Sequence, residues 1–219
     1  MNKLAIVMYH YVRDLTYSRY PRVKGLDTAQ FKQQLDFFQQ MGCHFMRLDQ
    51  VQEAIQGESN LPENSILLTF DDGYVDHFTN VFPILNERKI PAFFSMPGKI
   101  IAERKLLDVN RIHFILASIT IEQLLPKVFE RLDYYRGREY QIEDNRELFQ
   151  RLAKASRFDD AGTVFVKRLL QVELPEQLRN RIAEDLFKET VGVKEENFVG
   201  ELYLSMDQIR MMKRYGMEW

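Results

Sequence analysis

The stretch that decides the fold is Ser65-Ile66-Leu67-Leu68-Thr69-Phe70-Asp71-Asp72-Gly73-Tyr74. Its first six residues form an apolar, β-prone run without an interior breaker, which predicts a strand buried on both faces. The strand delivers two adjacent carboxylates, Asp71 and Asp72, to a glycine turn. Adjacent carboxylates repel each other and resist desolvation, so their pairing is costly unless a cation or a proton transfer uses it. We therefore expect this strand end to carry chemistry.

Further strands are predicted on both sides of this stretch. Leu4–Val12 is an apolar run that indicates a central strand, His44–Leu48 indicates a short extended segment, and Ile90–Ser95 indicates another strand. Helical patterns lie between these runs. Alternating strands and helices in this order favour parallel strands with crossover helices, and therefore an α/β sheet or barrel.

The helix signals around these strands are specific. Asp27 with Gln30 makes a capping box, and four apolar residues after it share one face that should point to the core. These residues are Phe31, Leu35, Phe38 and Met41. After the paired aspartates another helix is predicted, in which Pro83 should cause a kink or a restart because it lacks a backbone donor.

Residues 99–200 differ in character from the rest of the chain. Apolar residues recur there at every third and fourth position with hardly any strand signal, which predicts a large helical insertion. Ser205 with Gln208 then repeats the capping box, and Met217–Trp219 has the pattern of a further strand. We therefore predict one domain made of residues 1–98 and 201–219, interrupted by a helical insertion over residues 99–200.

The composition describes an ordinary globular protein. The 219 residues are 45% hydrophobic and 28% charged, with a formal net charge of −2. Basic residues are interspersed with acidic ones, so no stripe that would neutralise phosphates exists and nucleic acid is not an expected partner. The run Leu4–Met8 is shorter than a signal-peptide core and far shorter than a membrane span, which predicts a cytoplasmic chain without a transmembrane segment.

Three segments together resemble the polysaccharide deacetylases, which are carbohydrate esterases of the family-4 type with a NodB-type domain. The segments are Met8-Tyr9-His10-Tyr11-Val12, Thr69-Phe70-Asp71-Asp72-Gly73-Tyr74 and Ile90-Pro91-Ala92-Phe93-Phe94. The resemblance implies the first part of a distorted (β/α) barrel. It also implies a metal-dependent hydrolase that removes acetyl groups from N-acetylated sugars, so that an N-acetylated glycan is the expected substrate.

The resemblance also implies roles for single residues. Asp71 matches the family's catalytic base and Asp72 its metal-ligating carboxylate, with zinc as the expected divalent metal. This division is chemically sensible because a carboxylate held on a cation cannot serve as a base, whereas the cation's field keeps its neighbour ionised. Apart from the resemblance, His10 and Tyr74 are candidates for substrate contact at the mouth of the site. The alternative for His10 is a histidine packed in the sheet, and the alternative for Tyr74 is packing in the core or at the rim. His77, one turn further on, is expected to face solvent.

The sequence departs from the family pattern near its end. In the family, the strand begun by Met217–Trp219 precedes a His-(Ser/Thr)-x-x-His segment that completes the metal site, and this sequence ends before such a segment. The four histidines, at positions 10, 44, 77 and 113, do not pair at that spacing. We therefore expect a truncated chain that binds zinc poorly and is inactive alone.

Two further expectations follow from the missing segments. Too few strands are present to close a barrel, so an open sheet edge should be covered by the insertion or by another chain, for example in an oligomer. An alternative function is a catalytically inactive NodB-like binding or scaffold domain. A magnesium-dependent phosphoryl-transfer enzyme is less favoured, because no glycine-rich phosphate loop is present.

Overall fold

The computed structural model describes residues 3–219, and the chain divides into two compact units. Unit 1 contains Met1–Ser18, Lys24–Lys105 and Phe198–Trp219. Unit 2 contains Arg19–Val23 and Leu106–Asn197.

Unit 1 is built on a parallel four-stranded sheet. Its strands are β1 (Leu4–Tyr9), β2 (His44–Phe45), β3 (Ser65–Phe70) and β4 (Phe93–Phe94). The predicted strand at residues 65–70 is the centre of the sheet: β1 pairs along one side of β3, whereas β2 and β4 pair with the two ends of its other side. The backbone of Glu218 bonds to Ala92 and Phe94 and so extends the sheet beyond β4, as the pattern of the last residues predicts. The parallel, open sheet confirms the predicted α/β class.

Helices make up most of the remaining structure. In chain order they are α1 (Thr28–Gln40), α2 (Leu48–Gln56), α3 (Phe82–Arg88), α4 (Gly98–Glu103), α5 (Asp108–Ser118), α6 (Ile121–Tyr135), α7 (Asn145–Leu152), α8 (Ala161–Arg168), α9 (Glu176–Thr190), α10 (Glu195–Leu202) and α11 (Met206–Arg214). Two π-helical turns, His77–Val81 and Leu169–Glu173, precede α3 and follow α8. The first of these turns ends where Pro83 enters α3, so the predicted irregularity at this proline is observed.

Helix α1 covers one face of the sheet and begins at the predicted capping box on Asp27. Phe31 and Leu35 are fully buried, and Phe38 packs against the same core. The predicted burial of Met41 is wrong, because its side chain is 57% exposed. Met41 lies in the open groove between the end of α1 and β1, where no further strand of the described chain provides packing.

Strand β1 is an edge strand, which corrects the prediction that it is central. It pairs with β3 on one side, and the described residues place no strand on its other side. Ile6 and Met8 are consequently 61% and 59% exposed. The predicted open edge is therefore at β1. Coverage of this edge by another chain stays a prediction.

Among the described residues of unit 2, every extended regular element is a helix. Most of the apolar residues predicted to share helix faces are buried in its core, namely Ile112 on α5, Leu124, Val128 and Leu132 on α6, and Leu178, Ile182 and Leu186 on α9. Leu116, Ile119 and Phe129, which belong to the same predicted faces, are only partly buried. Arg111 is also buried and bonds Asp108 and Glu195, so its charge is compensated. In the part of the chain that the structure describes, no helix is both long and apolar enough to cross a membrane.

Candidate active site

The turn after β3 has a backbone conformation that requires a glycine at position 73. Asp72 and Gly73 both lie in the left-handed region, with φ angles of 71° and 62°. A Cβ atom added to Gly73 would approach the side chain of Met96 to 2.5 Å. The backbone N–H of Leu204 donates to the Gly73 carbonyl at 2.8 Å, which fixes the turn from the other side. Glycine is therefore needed here for both its conformation and its size.

The Asp71 side chain is oriented by the end of a neighbouring strand. Ser95 follows β4 directly, and its Oγ donates to Oδ1 of Asp71 at 2.8 Å. The backbone N–H of Ser95 donates to the Phe70 carbonyl at 2.9 Å, so the hydrogen bonds of the sheet fix the backbone that carries this hydroxyl. Sequence reasoning missed this contact, although the carboxyl ends of adjacent parallel strands always meet at one edge. Asp71 is therefore a carboxylate in a fixed orientation.

Asp72 contacts a different set of groups. Its Oδ2 accepts a hydrogen bond from the Tyr74 hydroxyl at 2.7 Å, and Nε2 of His10 lies 4.0 Å from the same oxygen. The side chains of His10 and Asp72 are 46% and 21% exposed. The structure thus brings His10 beside the aspartate pair in an open position, where a substrate could reach it.

Tyr74 occupies the core instead of the rim. Its side chain is completely buried, and its ring stacks on Tyr11 and Tyr203 with centroid distances of 4.1 and 6.0 Å. Burial raises the pKa of Tyr74, so the hydroxyl stays protonated and serves as a donor to Asp72. No ring surface of Tyr74 is exposed for a sugar, and its hydroxyl instead donates a hydrogen bond to Asp72.

The expectation that His77 faces solvent is wrong. The imidazole is completely buried, with the rings of Phe70, Tyr74 and Phe94 around it. Its Nε2 lies 2.9 Å from the carbonyl oxygen of His10. Because a carbonyl oxygen can only accept, Nε2 carries the proton, and Nδ1 is a buried atom without a partner among the described residues.

Burial explains the charge state of His77, and the sequence contained a signal for it. Desolvation lowers the pKa of His77 to about 4, so the ring is neutral at pH 7. Val81 and Leu85 follow His77 at intervals of four residues, and both are fully buried. This spacing places His77 on the apolar face of the helical stretch.

The described residues do not provide a complete metal site. Asp72 and His10 lie near each other, but within residues 3–219 no three histidine, cysteine, aspartate or glutamate side chains converge as metal ligands would. Catalytic zinc sites usually have three protein ligands. The donor set of the described chain therefore does not fit a catalytic metal ion.

Comparison with known proteins agrees with the motifs. Residues 58–132 match the family model of polysaccharide deacetylases. The poly-beta-1,6-N-acetyl-D-glucosamine N-deacetylase of Escherichia coli (strain K12) is 32% identical over 97 residues, which cover 44% of this chain and 14% of that enzyme. The aligned region is thus a small part of that relative's length.

Solved structures give weaker likenesses. A de-N-acetylase from Aggregatibacter actinomycetemcomitans has 16% sequence identity and a TM-score of 0.42, covering 98% of this chain and 85% of that one. A Streptococcus pyogenes deacetylase in complex with acetate has 16% identity and a TM-score of 0.40, covering 97% and 80%. Scores this low do not establish that residues are arranged equivalently.

The matched segment contains β3, both aspartates and the glycine turn. Over residues 58–132, this chain is similar to the polysaccharide deacetylase family.

Proposed function

We propose that this chain forms part of a hydrolase that removes N-acetyl groups from a polysaccharide or a glycan precursor. The observation that carries the proposal is the aspartate pair within the family-matched segment, in which Ser95 holds Asp71 and Tyr74 holds Asp72. Two neighbouring carboxylates with different partners are suited to different tasks. The name of the Escherichia coli relative supports an N-acetylated glucosamine polymer as the substrate class.

Asp71 is the proposed general base. Its carboxylate accepts a proton from a water molecule while the water oxygen forms a bond to the acetamide carbonyl carbon. The C–N bond then breaks, the proton passes to the leaving nitrogen, and the products are acetate and a free amine. Asp72 and His10 lie beside this position and are proposed to bind the reacting part of the substrate. No step is assigned to a metal, because the described donors do not complete a site for one.

Acetate release from N-acetylated β-1,6-linked glucosamine oligomers tests this proposal. The assay compares the full-length protein that contains this chain with its Asp71→Asn and Asp72→Ala variants, with and without divalent metal. Each substitution should abolish release, whereas Asp207→Asn, at a side chain that is 91% exposed, should leave it unchanged. Full activity of either site variant would overturn the assignment.

A catalytically inactive binding or scaffold domain is the second candidate. The observation that favours it is the incomplete donor set around Asp72 and His10. Such a domain should bind the oligomers in calorimetry without releasing acetate, and Asp71→Asn should leave this binding intact. It should also bind zinc weakly in equilibrium dialysis. Tight stoichiometric zinc together with acetate release would exclude this candidate.

A further inference from the structure

Three side chains in the helical stretch after the aspartate turn bind the segment that follows β1. The contacts are Arg13 Nε to Asp76 Oδ2 at 2.7 Å, His77 Nε2 to the His10 carbonyl at 2.9 Å, and Asn80 Nδ2 to the Val12 carbonyl at 2.9 Å. The two segments are more than sixty residues apart in the sequence. We call residues 76, 77 and 80 the clamp.

Two of the three clamp residues are buried. Asp76 and His77 are 6% and 0% exposed, and the side chain of Arg13 is 13% exposed. A hydrogen-bonded ion pair at this depth fixes both partners, since separating them would leave a charge without compensation. The π-helical turn His77–Val81 begins inside the clamp, and such turns often occur at functional sites.

The clamp binds the chain just beyond the last residue of β1 that pairs with β3. The pairing of β1 with β3 ends at Tyr9, one residue before His10. Beyond that point Leu26 bonds the backbone of Tyr11 and Arg13 on one side of the segment. The carbonyls of residues 10 and 12 are bonded by His77 and Asn80. The segment therefore stays extended because it has partners on both sides.

We propose that Asp76, His77 and Asn80 are positioning residues, which hold the backbone of residues 10–13 so that the His10 imidazole stands 4.0 Å from the Asp72 carboxylate. The functional meaning of this placement rests on the proposed deacetylase reaction. Asp76 and His77 are buried and are therefore not placed to touch a substrate. The clamp acts through His10, whose exposed ring would otherwise be free to leave the site.

Substitution of His77 in the full chain separates the hydrogen bond from packing. His77→Phe keeps a ring of similar size but removes the donor, whereas His77→Gln places an amide N–H near the position of Nε2. In crystal structures we expect His77→Phe to move the His10 ring away from Asp72 by about 1 Å or more, and we expect His77→Gln to restore its place. Leu85→Val, at another fully buried residue of unit 1, is the control for lost stability.

Turnover provides a second readout. His77→Phe should lower kcat for acetate release by about 10-fold or more, because displacement of a site group weakens catalysis, and His77→Gln should recover most of it. Leu85→Val should retain the wild-type kcat. If His77→Phe folds and its His10 ring is not displaced, the positioning role is refuted. An unchanged kcat of this variant would also refute it.

Two further outcomes remain distinguishable. If the ring moves but the full-length protein that contains this chain releases no acetate, the proposed function fails and the positioning role stands. If His77→Phe does not fold, Asn80→Leu tests the same clamp, since it removes only the bond to the Val12 carbonyl. Displacement of residues 10–13 in Asn80→Leu would support the inference, and an unaltered segment would refute it.

Discussion

The hydroxyl of Tyr74 donates a hydrogen bond to Oδ2 of Asp72 at 2.7 Å, and this is the same oxygen that lies 4.0 Å from His10. Because the Tyr74 ring is completely buried, the bond ties a partly exposed carboxylate to the core. Asp72 also has a left-handed backbone. Its side chain is therefore held by a rigid ring at one end and by an unusual turn at the other.

Tyr74→Phe should fold as the wild type does but should be less stable. The stacking on Tyr11 and Tyr203 is retained, but a hydrogen bond to a carboxylate is lost, which should reduce the free energy of unfolding by about 1–2 kcal/mol. Urea denaturation measures this difference. Tyr17→Phe, at a residue that is 88% exposed, should change nothing. Equal stability of Tyr74→Phe and wild type would show that the bond does not stabilise Asp72 in solution.

Gly73→Ala should be much more damaging than the same change at Gly42 or Gly98. The new Cβ would meet Met96 at 2.5 Å in addition to the strain of a positive φ, so we expect a loss of about 2 kcal/mol or more in unfolding free energy. Gly42→Ala has the positive φ with open space around it and should lose about 1 kcal/mol.

Gly98→Ala serves as the control for both glycine variants. Gly98 has neither a positive φ nor any atom within 4 Å of an added Cβ, so this change should be nearly neutral. Thermal denaturation ranks the three variants. Equal losses for Gly73→Ala and Gly42→Ala would mean that Met96 gives way and that the close approach is not a constraint.

The features that the sequence predicts well are local ones. The bounds of β3 agree with the predicted strand, because an apolar, β-prone run ends there at two carboxylates and a glycine. The capping boxes at Asp27 and Ser205 are likewise observed, since each depends on side chains three residues apart. Short-range information is likewise enough to predict an aspartate pair at the end of this strand.

The features that the sequence did not predict depend on distant parts of the chain. An apolar run such as Leu4–Val12 does not tell whether a second partner strand exists, and in the structure β1 is an edge with Ile6 and Met8 exposed. Similarly, short-range patterns do not predict the hydrogen bond from His77 to the carbonyl of His10, sixty-seven residues earlier. Ser95 meets Asp71 because β3 and β4 are neighbours, and this pairing is a property of the sheet topology.

Ser95→Ala should reduce activity without affecting the fold. Loss of the donor to Oδ1 of Asp71 allows the proposed base to rotate, and a hydrogen bond to a charged group corresponds to a fall of about 10-fold in kcat. Steady-state acetate release measures kcat and KM separately. Ser118→Ala removes a serine hydroxyl that donates to the Phe114 carbonyl in unit 2, and it should leave kcat and KM unchanged. If kcat is retained, Ser95 does not orient the base.

His77 should make the stability of the protein depend on pH in the acidic range. Burial lowers the pKa of His77 from 6.5 to about 4. Between these two values, His77 is protonated in the unfolded chain but neutral in the folded protein. The stabilising contribution of the neutral ring is therefore complete above pH 6.5 and is lost as the pH falls towards 4. Asp76, whose pKa is raised by burial, contributes with the opposite sign over part of this range.

Comparison with His77→Phe isolates the effect, because Asp76 and the other charged groups that face His77, which are His10, Arg13 and Asp71, are present in both proteins. Between pH 6.5 and 4, the unfolding free energy of wild type should fall relative to the variant by up to about 3 kcal/mol. Urea denaturation at half-unit pH intervals gives both curves. Parallel curves over this range would mean that His77 titrates in the folded protein as it does in the unfolded chain, which a fully desolvated imidazole cannot do.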